Sequence, residues 1–165
     1  MRSSDIKQAF TGLFCATPVV YSTAGRLLIA GGGSLHPTSQ ETLDKKMHYI
    51  SQDGKTVFKH AVVGMADVSA KIVERNDLDD KDIRLFIPHQ ANYRIIDAAA
   101  KKMGLDTEQV VINISKYGNT TAATIPLAMS ETYQANKLQK GDWVVLAAFG
   151  AGFTWGSVLL RWAID

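Results

Sequence analysis

Two apolar runs in the second half of the chain each end abruptly in polar residues and then give way to a helical pattern. The first covers residues 85–87 and ends at His89, and the second covers 110–114 and is followed by a turn that contains Asn119. Each run is typical of a buried strand, and the residues after it have helical spacing. Ligands in open α/β sheets bind where strands end and helices begin. The sequence therefore predicts an α/β fold that brings His89 and Asn119 to one such edge.

Length and composition narrow the class of protein. The chain has 165 residues, of which 46% are hydrophobic, so we expect one domain with a substantial core. No apolar run approaches the roughly 18 residues that a membrane span needs. The net charge of +2 is too small to argue for nucleic-acid binding. The first residues lack a signal-peptide pattern, and the single cysteine cannot form an internal disulfide, so a cytoplasmic protein is expected.

The spacing of apolar residues predicts the order of the elements. Residues 1–35 are predicted to form an irregular or strand-like lead-in that belongs to the same domain as residues 36–165. Helices are predicted over about 55–76, 91–103 and 120–136, and strands over 84–87, 110–114, 143–149 and 153–162. The alternation of strand and helix favours a layered sheet with an antiparallel pair near the C-terminus.

The third predicted helix has an unusual surface. Residues 121–129 carry almost no charge on any face, which predicts a helix that is buried all round. A domain of this size with one sheet normally leaves such a helix open to solvent on one side. A large apolar patch would then be exposed, and such patches commonly cause dimerisation or aggregation.

The residues by themselves leave two interpretations of His89 and Asn119 open. Two N–H donors aimed at one oxygen can stabilise an enolate or thioester oxyanion. A buried histidine at a strand end can equally bond only to the backbone, and an asparagine between Gly118 and Thr120 is common as a turn residue or helix cap. Asn92, at a predicted helix start, is open to the same structural interpretation.

Three motifs, in this order, add a family resemblance. They are Pro88-His89-Gln90-Ala91-Asn92, then Gly118-Asn119-Thr120-Thr121 with Ile125-Pro126, and finally Phe149-Gly150-Ala151-Gly152-Phe153-Thr154-Trp155-Gly156. Their order and spacing resemble the second half of the β-ketoacyl-acyl-carrier-protein synthase III family. The resemblance implies one half of a thiolase-like fold, with a mixed five-stranded sheet and helices on both faces. In the whole fold, two similar halves pack with apolar helices between their sheets.

The resemblance also implies a reaction and roles for particular residues. Enzymes of this family condense an acyl primer, delivered as acyl-CoA, with malonyl-acyl carrier protein in fatty acid biosynthesis. His89 and Asn119 match the donors to the thioester oxygen. The positions implied to line the pantetheine tunnel are Ala91, Asn92 and Phe149. The basic positions implied to receive the acidic carrier protein are Arg94, Lys59, Lys101 and Lys102, although any single lysine is more often simply solvated.

The nucleophilic cysteine of the family is missing from the corresponding place. It belongs to the first half, at the N-terminus of a buried helix, whereas Cys15 lies only 74 residues before His89 (89 − 15) and is followed closely by Pro18. We therefore interpret Cys15 as a structural thiol. The isolated chain is expected to be inactive, and the partner expected for it is either the missing cysteine-bearing half or a second copy of the chain. The alternative is a non-catalytic remnant or an interaction subunit.

No metal or resident cofactor is predicted. The histidines have no cysteine or carboxylate partners at the spacing of metal ligands. The glycine-rich stretches at 31–33 and 150–152 lack the setting of a phosphate-binding loop. The only prosthetic chemistry that the resemblance implies is the CoA or phosphopantetheine that the substrates themselves carry.

Overall fold

The computed structural model describes residues 10–20, for the backbone alone, and residues 27–164 with their side chains. The strands in this part are β1 (Phe10–Val20), β2 (Leu27–Ile29), β3 (Ile50–Gln52), β4 (Ile83–Pro88), β5 (Trp143–Gly150) and β6 (Thr154–Trp162). The α-helices are α1 (Gln40–Asp44), α2 (Gly54–Glu74), α3 (Tyr93–Lys102), α4 (Ile114–Tyr117) and α5 (Thr124–Gln134). Short 3-10 turns lie at Thr107–Gln109 and Thr121–Ala123.

The main sheet is mixed, as predicted. Its strand order is β1-β6-β5-β4, in which β4 and β5 run parallel and the other two pairs are antiparallel. A separate two-stranded antiparallel ribbon is formed by β2 and β3. Within the described residues the main sheet has four strands, where five were expected.

The prediction of a strand at 110–114 is wrong. Only Val110 forms a bridge to Phe86, and the N–H of Val111 donates to the Phe86 carbonyl at 2.9 Å. Beyond that point the backbone N–H of Asn113 bonds to the side chain of Gln90 at 3.0 Å, and α4 begins at Ile114. A side-chain hydrogen bond therefore replaces the pairing that would have continued the strand, although the apolar pattern is that of a buried strand.

Both faces of the sheet are covered by helices. Successive residues of β4 point to opposite faces: Phe86 packs with Met65 of α2 and Ala99 of α3, whereas Leu85 and Ile87 pack with Ala128 of α5. All six side chains are at most 2% exposed. A strand that is buried on both sides is typical of a sheet sandwiched between helices, so the prediction of helices on both faces is confirmed.

The first turn of the third predicted helix is not buried all round. Thr124 and Ala128 are buried against the sheet, but Ala122, Ala123 and Pro126 are exposed. The prediction that this helix is buried on every side is therefore wrong for the chain by itself. The exposed residues belong to the 3-10 turn Thr121–Ala123 and the first turn of α5, where the described chain covers one side only.

Helix α2 forms the longest element of the core and begins at a well-formed cap. The Asp53 carboxylate accepts hydrogen bonds from the backbone N–H and the hydroxyl of Thr56, at 3.1 and 2.7 Å. Further along, Gly64 lies directly beneath the ring of Trp155 in β6. The missing side chain at this position allows the helix to approach the sheet closely.

Cys15 lies in β1, opposite Val158 of β6. Its side chain lies outside the described residues, so the interpretation of this thiol as structural stays a prediction. The same holds for the part of the predicted lead-in that falls on residues 1–9 and 21–26. Among the helices that the structure describes, none combines the length and hydropathy that crossing a membrane requires.

Candidate active site

The end of β4 fixes the position of His89 in the sheet. The backbone N–H of His89 donates to the carbonyl of Ala147 at 2.7 Å, which continues the parallel pairing of β4 with β5 by one residue. The chain then turns away and begins α3 at Tyr93, where the Asn92 side chain accepts the backbone N–H of Arg94 at 2.9 Å. His89 is therefore held by the backbone at the edge of the sheet where the sequence predicted a site.

The imidazole of His89 has one defined side-chain partner. Its Nδ1 lies 2.6 Å from the hydroxyl oxygen of Thr124, the first residue of α5. The ring is half-buried, and this loss of hydration lowers the pKa of His89 below its ordinary value of 6.5. A neutral imidazole is therefore favoured at neutral pH, with one nitrogen that donates and one that accepts.

Asn119 reaches the same place from the turn after α4. Gly118 has a φ of 67° and reverses the chain, and the Asn119 side-chain oxygen accepts the backbone N–H of Thr121 at 2.9 Å. This hydrogen bond orients the side-chain amide of Asn119 and engages its oxygen, which is the acceptor. In the described part of the chain no hydrogen bond engages the amide nitrogen, which carries two donors.

A charged cluster on the solvent side holds the segment that carries Asn119. The Glu131 carboxylate of α5 accepts hydrogen bonds from Lys116 at 2.5 Å, from the Tyr117 hydroxyl at 2.6 Å and from the Asn113 amide at 2.8 Å. These hydrogen bonds, of which the one from Lys116 has the largest effect, lower the pKa of Glu131 from 4.5 to about 2. The same bond raises the pKa of Lys116. The cluster ties α4 to α5 immediately before the turn at Asn119.

His89 and Asn119 both line two adjoining hollows. The first, a groove of about 680 Å³, runs between α2, α3 and the β2–β3 ribbon. The second, a shallower hollow of about 580 Å³, lies over the start of α5 and the β5–β6 turn. Four residues belong to both hollows and form the boundary between them: His89, Asn119, Phe149 and Gly150. Two N–H-bearing side chains are thus placed where the two hollows meet.

The other residues predicted to contact the substrate also line the groove. Ala91, Asn92 and Phe149 all border it. The Asn92 side chain caps α3, as its structural interpretation predicts, and its contact with substrate stays a prediction. The walls are largely apolar, with a smaller number of polar or charged residues among them. The apolar wall residues of α2 and α3 are Val57, Phe58, Ala61, Met65 and Ile95.

The predicted basic residues differ in their surroundings. Arg94 borders the groove, where its guanidinium lies 5.6 Å from the centre of the Phe58 ring. Lys101 and Lys102 lie at the far end of α3 and form ion pairs with Asp97 and Asp67. Lys59 is exposed on α2 beside Phe58. The structure therefore places Arg94 at the groove and the two lysines of α3 in pairs that partly neutralise their charge.

Thr124 and Gln90 have roles that the sequence did not predict. The sequence pattern places Thr124 in an apolar helix and Gln90 within a motif, but in the structure Thr124 bonds the candidate histidine and Gln90 bonds three backbone groups. The Thr124 contact spans 35 residues. A local sequence pattern cannot predict a contact between residues this far apart in the chain. The one local signal is that the hydroxyl of a threonine near a helix start commonly makes a hydrogen bond.

A comparison with protein families decides the relationship of this chain. The model for the 3-oxoacyl-[acyl-carrier-protein] synthase III C-terminal domain matches residues 73–162, which is more than half of the chain and includes both His89 and Asn119. The chain belongs to this family. The resemblance seen in the sequence motifs is confirmed.

Individual relatives agree with this assignment. The β-ketoacyl-[acyl-carrier-protein] synthase III of Chlorobium chlorochromatii is 56% identical over 83% of this chain and 42% of its own length. The enzyme of the same name from Koribacter versatilis is 56% identical over 83% of this chain and 41% of its own length. The chain thus spans about two fifths of the length of the curated relatives it matches.

Solved structures confirm the thiolase-like half fold. The 3-oxoacyl-(acyl carrier protein) synthase III of Pseudomonas aeruginosa superposes with a TM-score of 0.78 at 34% identity, covering 94% of this chain and 46% of that one. The synthase III of Thermus thermophilus superposes with a TM-score of 0.76 at 37% identity, and the match covers 93% of this chain and 46% of the Thermus chain. In both comparisons the likeness extends over nearly all of this chain and under half of the neighbour.

Proposed function

We propose that this chain is the C-terminal part of a β-ketoacyl-acyl-carrier-protein synthase III and supplies its oxyanion site. The observation that carries the proposal is the position of His89 and Asn119 on the boundary between the two hollows. A thioester that enters along the groove ends at this boundary, within reach of both donors. The family assignment supports the same conclusion.

The chemistry requires such donors at this point. When malonyl thioester loses CO₂, the bond to the carboxyl carbon breaks and its electron pair passes to the α-carbon and the thioester oxygen. Donors already aimed at that oxygen stabilise the developing charge, and each contributes roughly 3 kcal/mol in comparable sites. The resulting carbanion then attacks an acyl thioester, expels the thiolate and forms the β-ketoacyl product. His89 and Asn119 are the donors in this proposal.

The shape and charge of the groove suit an extended acyl-carrier arm. Its apolar walls can enclose the pantetheine chain, with Ala91, Asn92 and Phe149 as contacts, and the substrate brings that group itself, so no resident cofactor is proposed. Lys55 and Arg94 border the groove and can face the phosphate end of the arm. The docking surface proposed for the acidic carrier protein comprises Arg94 and Lys59 near the groove, with Lys101 and Lys102 further along α3.

The acyl group has to be supplied on a cysteine from outside the described residues. The second hollow exposes apolar residues of α5 and β6 directly beside His89, among them Ile125 and Trp155. We propose that a cysteine-bearing N-terminal half covers this hollow and presents the acyl thioester to the carbanion. The isolated chain is then expected to show no condensation.

The test is reconstitution. The chain is co-expressed with the N-terminal half of the Chlorobium chlorochromatii relative, and CO₂ release from malonyl-acyl carrier protein and formation of the β-ketoacyl product are followed. His89→Ala and Asn119→Ala are each expected to lower turnover by about 100-fold or more. His36→Ala, at an exposed histidine outside the groove, is the matched control. A complex that forms but turns over equally well with His89→Ala would assign the chain to the alternative, a non-catalytic interaction subunit.

A further inference from the structure

The hydroxyl of Thr124 is placed to decide which nitrogen of His89 carries the proton. Thr124 is 2% exposed, and its Oγ1 lies 2.6 Å from His89 Nδ1 and 3.1 Å from the carbonyl oxygen of Thr121. A hydroxyl has one proton and can donate to only one of these two acceptors at a time. The choice matters, because the neutral imidazole donates from only one nitrogen.

The geometry favours donation to the histidine. The Thr121 carbonyl already accepts the backbone N–H of Thr124, so it does not depend on the hydroxyl. Its 3.1 Å separation from Oγ1 is also longer than the usual range for an O–H···O bond, which is about 2.5 to 3.0 Å. The contact with His89 is 0.5 Å shorter (3.1 − 2.6) and joins two groups that are both withdrawn from water.

We infer that Thr124 is a positioning residue for His89: its hydroxyl donates to Nδ1 and holds the neutral imidazole in the tautomer with the proton on Nε2. This inference rests on the proposed function, because it gives the Nε2–H the task of donating to the thioester oxygen. In the opposite tautomer Nε2 would present a lone pair to that oxygen and would repel the developing charge.

One further contact and one rotamer restriction limit the motion of the two side chains. The backbone of His89 is bonded to Ala147, so the ring pivots about a fixed point at the end of β4. Thr124 is the first residue of α5, and its branched side chain has restricted rotation within a helix. The low pKa that burial gives His89 keeps the ring neutral, which is the state in which the tautomer has a consequence.

The tautomer can be read directly from the full chain by ¹⁵N NMR of labelled histidine at neutral pH. The wild type is expected to show an unprotonated Nδ1 and a protonated Nε2 for His89, assigned by comparison with His89→Gln. Thr124→Ser retains the hydroxyl and should preserve this spectrum, whereas Thr124→Val has nearly the same shape without the hydroxyl and should alter it. A wild-type His89 protonated at Nδ1, or a spectrum unchanged in Thr124→Val, would overturn the inference.

The reconstituted enzyme separates this inference from the proposed function. Thr124→Val is expected to lower kcat by roughly 10- to 100-fold, as when the partner that orients a metal-bound histidine is removed, while KM for malonyl-acyl carrier protein changes little. Thr124→Ser should restore most of the rate. Full activity of Thr124→Val beside an inactive His89→Ala would reject the role of Thr124 alone. An inactive wild-type complex would reject the proposed function, and the NMR spectrum would still decide the tautomer.

Discussion

The side-chain oxygen of Gln90 accepts the backbone N–H of Asn113 at 3.0 Å, deep in the interior of the protein. The Gln90 amide nitrogen donates to the carbonyls of Pro88 and Val111, at 2.8 and 3.0 Å. One amide that is fully buried thus connects the end of β4, which carries His89, to the segment that leads to Asn119. The two candidate donors are held together by this residue although it touches neither hollow.

Replacing Gln90 by leucine should therefore destabilise the fold. Three backbone groups, two of them in buried contacts and one in a half-buried contact, would lose their bond to Gln90 in Gln90→Leu, and each buried polar group left unsatisfied costs about 1–3 kcal/mol. We expect the free energy of unfolding, measured with urea on the full chain, to fall by at least about 2 kcal/mol. The matched control is Gln134→Leu, at an exposed glutamine whose amide nitrogen donates to the Ser130 hydroxyl, and its effect should stay within about 0.5 kcal/mol. Equal stability losses in the two variants would contradict this role of Gln90.

Gly64 offers a second test, in which helix propensity and packing predict opposite signs. In an exposed helix, alanine is favoured over glycine by about 1 kcal/mol. At Gly64, however, an added Cβ would lie 2.7 Å from the ring of Trp155. That ring stacks on the ring of Phe149, at the boundary of the site, with an angle of 11° between the two planes. We expect Gly64→Ala to lower the free energy of unfolding by about 1–3 kcal/mol, and to lower the thermal midpoint with it.

A matched glycine at the start of the same helix provides the control for this prediction. Gly54 is exposed, and a Cβ at that position would meet no atom within 4 Å. Gly54→Ala should therefore leave stability unchanged or raise it slightly. A stabilising Gly64→Ala would show that the Trp155 ring moves aside at little cost, and the close approach of α2 to β6 would then be unimportant.

The elements that local patterns determine were predicted well. The spacing of apolar residues gave α2, α3 and the paired strands β5 and β6 to within a few residues. It did so because their buried faces repeat with the helical or the strand period. The placement of His89 also followed from local order, since it lies just beyond the strand β4. Asn119 reaches the same edge by a different route, because α4 and not a strand precedes its turn.

The failures arise where distant contacts override a local pattern. Residues 110–114 are apolar and β-branched except for Asn113, but the Gln90 side chain takes the backbone N–H of Asn113 that a neighbouring strand would have paired. The apolar surface of residues 121–129 predicted burial on every side, whereas Ala122 in the 3-10 turn and Pro126 in α5 are exposed because the described chain covers one face only. Thr124 contacts a histidine 35 residues away, and no sequence window contains both.

The docking surface predicts unequal effects of its basic residues in the reconstituted enzyme. Arg94 borders the groove, whereas Lys101 is engaged by Asp97 at 2.9 Å, so its charge is already partly compensated. We expect Arg94→Ala to raise KM for malonyl-acyl carrier protein roughly threefold or more, and Lys101→Ala to change it less. The difference should shrink when salt screens the carrier protein. Equal effects of the two variants, or an effect of Arg94→Ala that ignores salt, would contradict an electrostatic docking role.

Glu131 predicts a specific response of stability to acid. Its pKa in the folded chain is about 2, against an ordinary value of 4.5, because Lys116, Tyr117 and Asn113 donate hydrogen bonds to the carboxylate. A group whose pKa is lowered by folding contributes stability above its unfolded pKa and loses that contribution as the pH falls towards its folded pKa. The contribution of Glu131 is therefore present at neutral pH and should disappear between about pH 4.5 and about pH 2.

Glu131→Gln should remove this part of the acid sensitivity. Urea midpoints of the wild type and the variant are expected to differ most near pH 6, to approach each other below about pH 4.5 and to converge as the pH falls to about 2. Glu74→Gln, at an exposed glutamate at the end of α2, controls for the loss of one negative charge. Because the same bonds hold α4 beside the turn at Asn119, Glu131→Gln should also lower turnover in the reconstituted enzyme. A constant difference in midpoint from pH 6 to pH 3 would assign the effect of the variant to something other than the titration of this carboxylate.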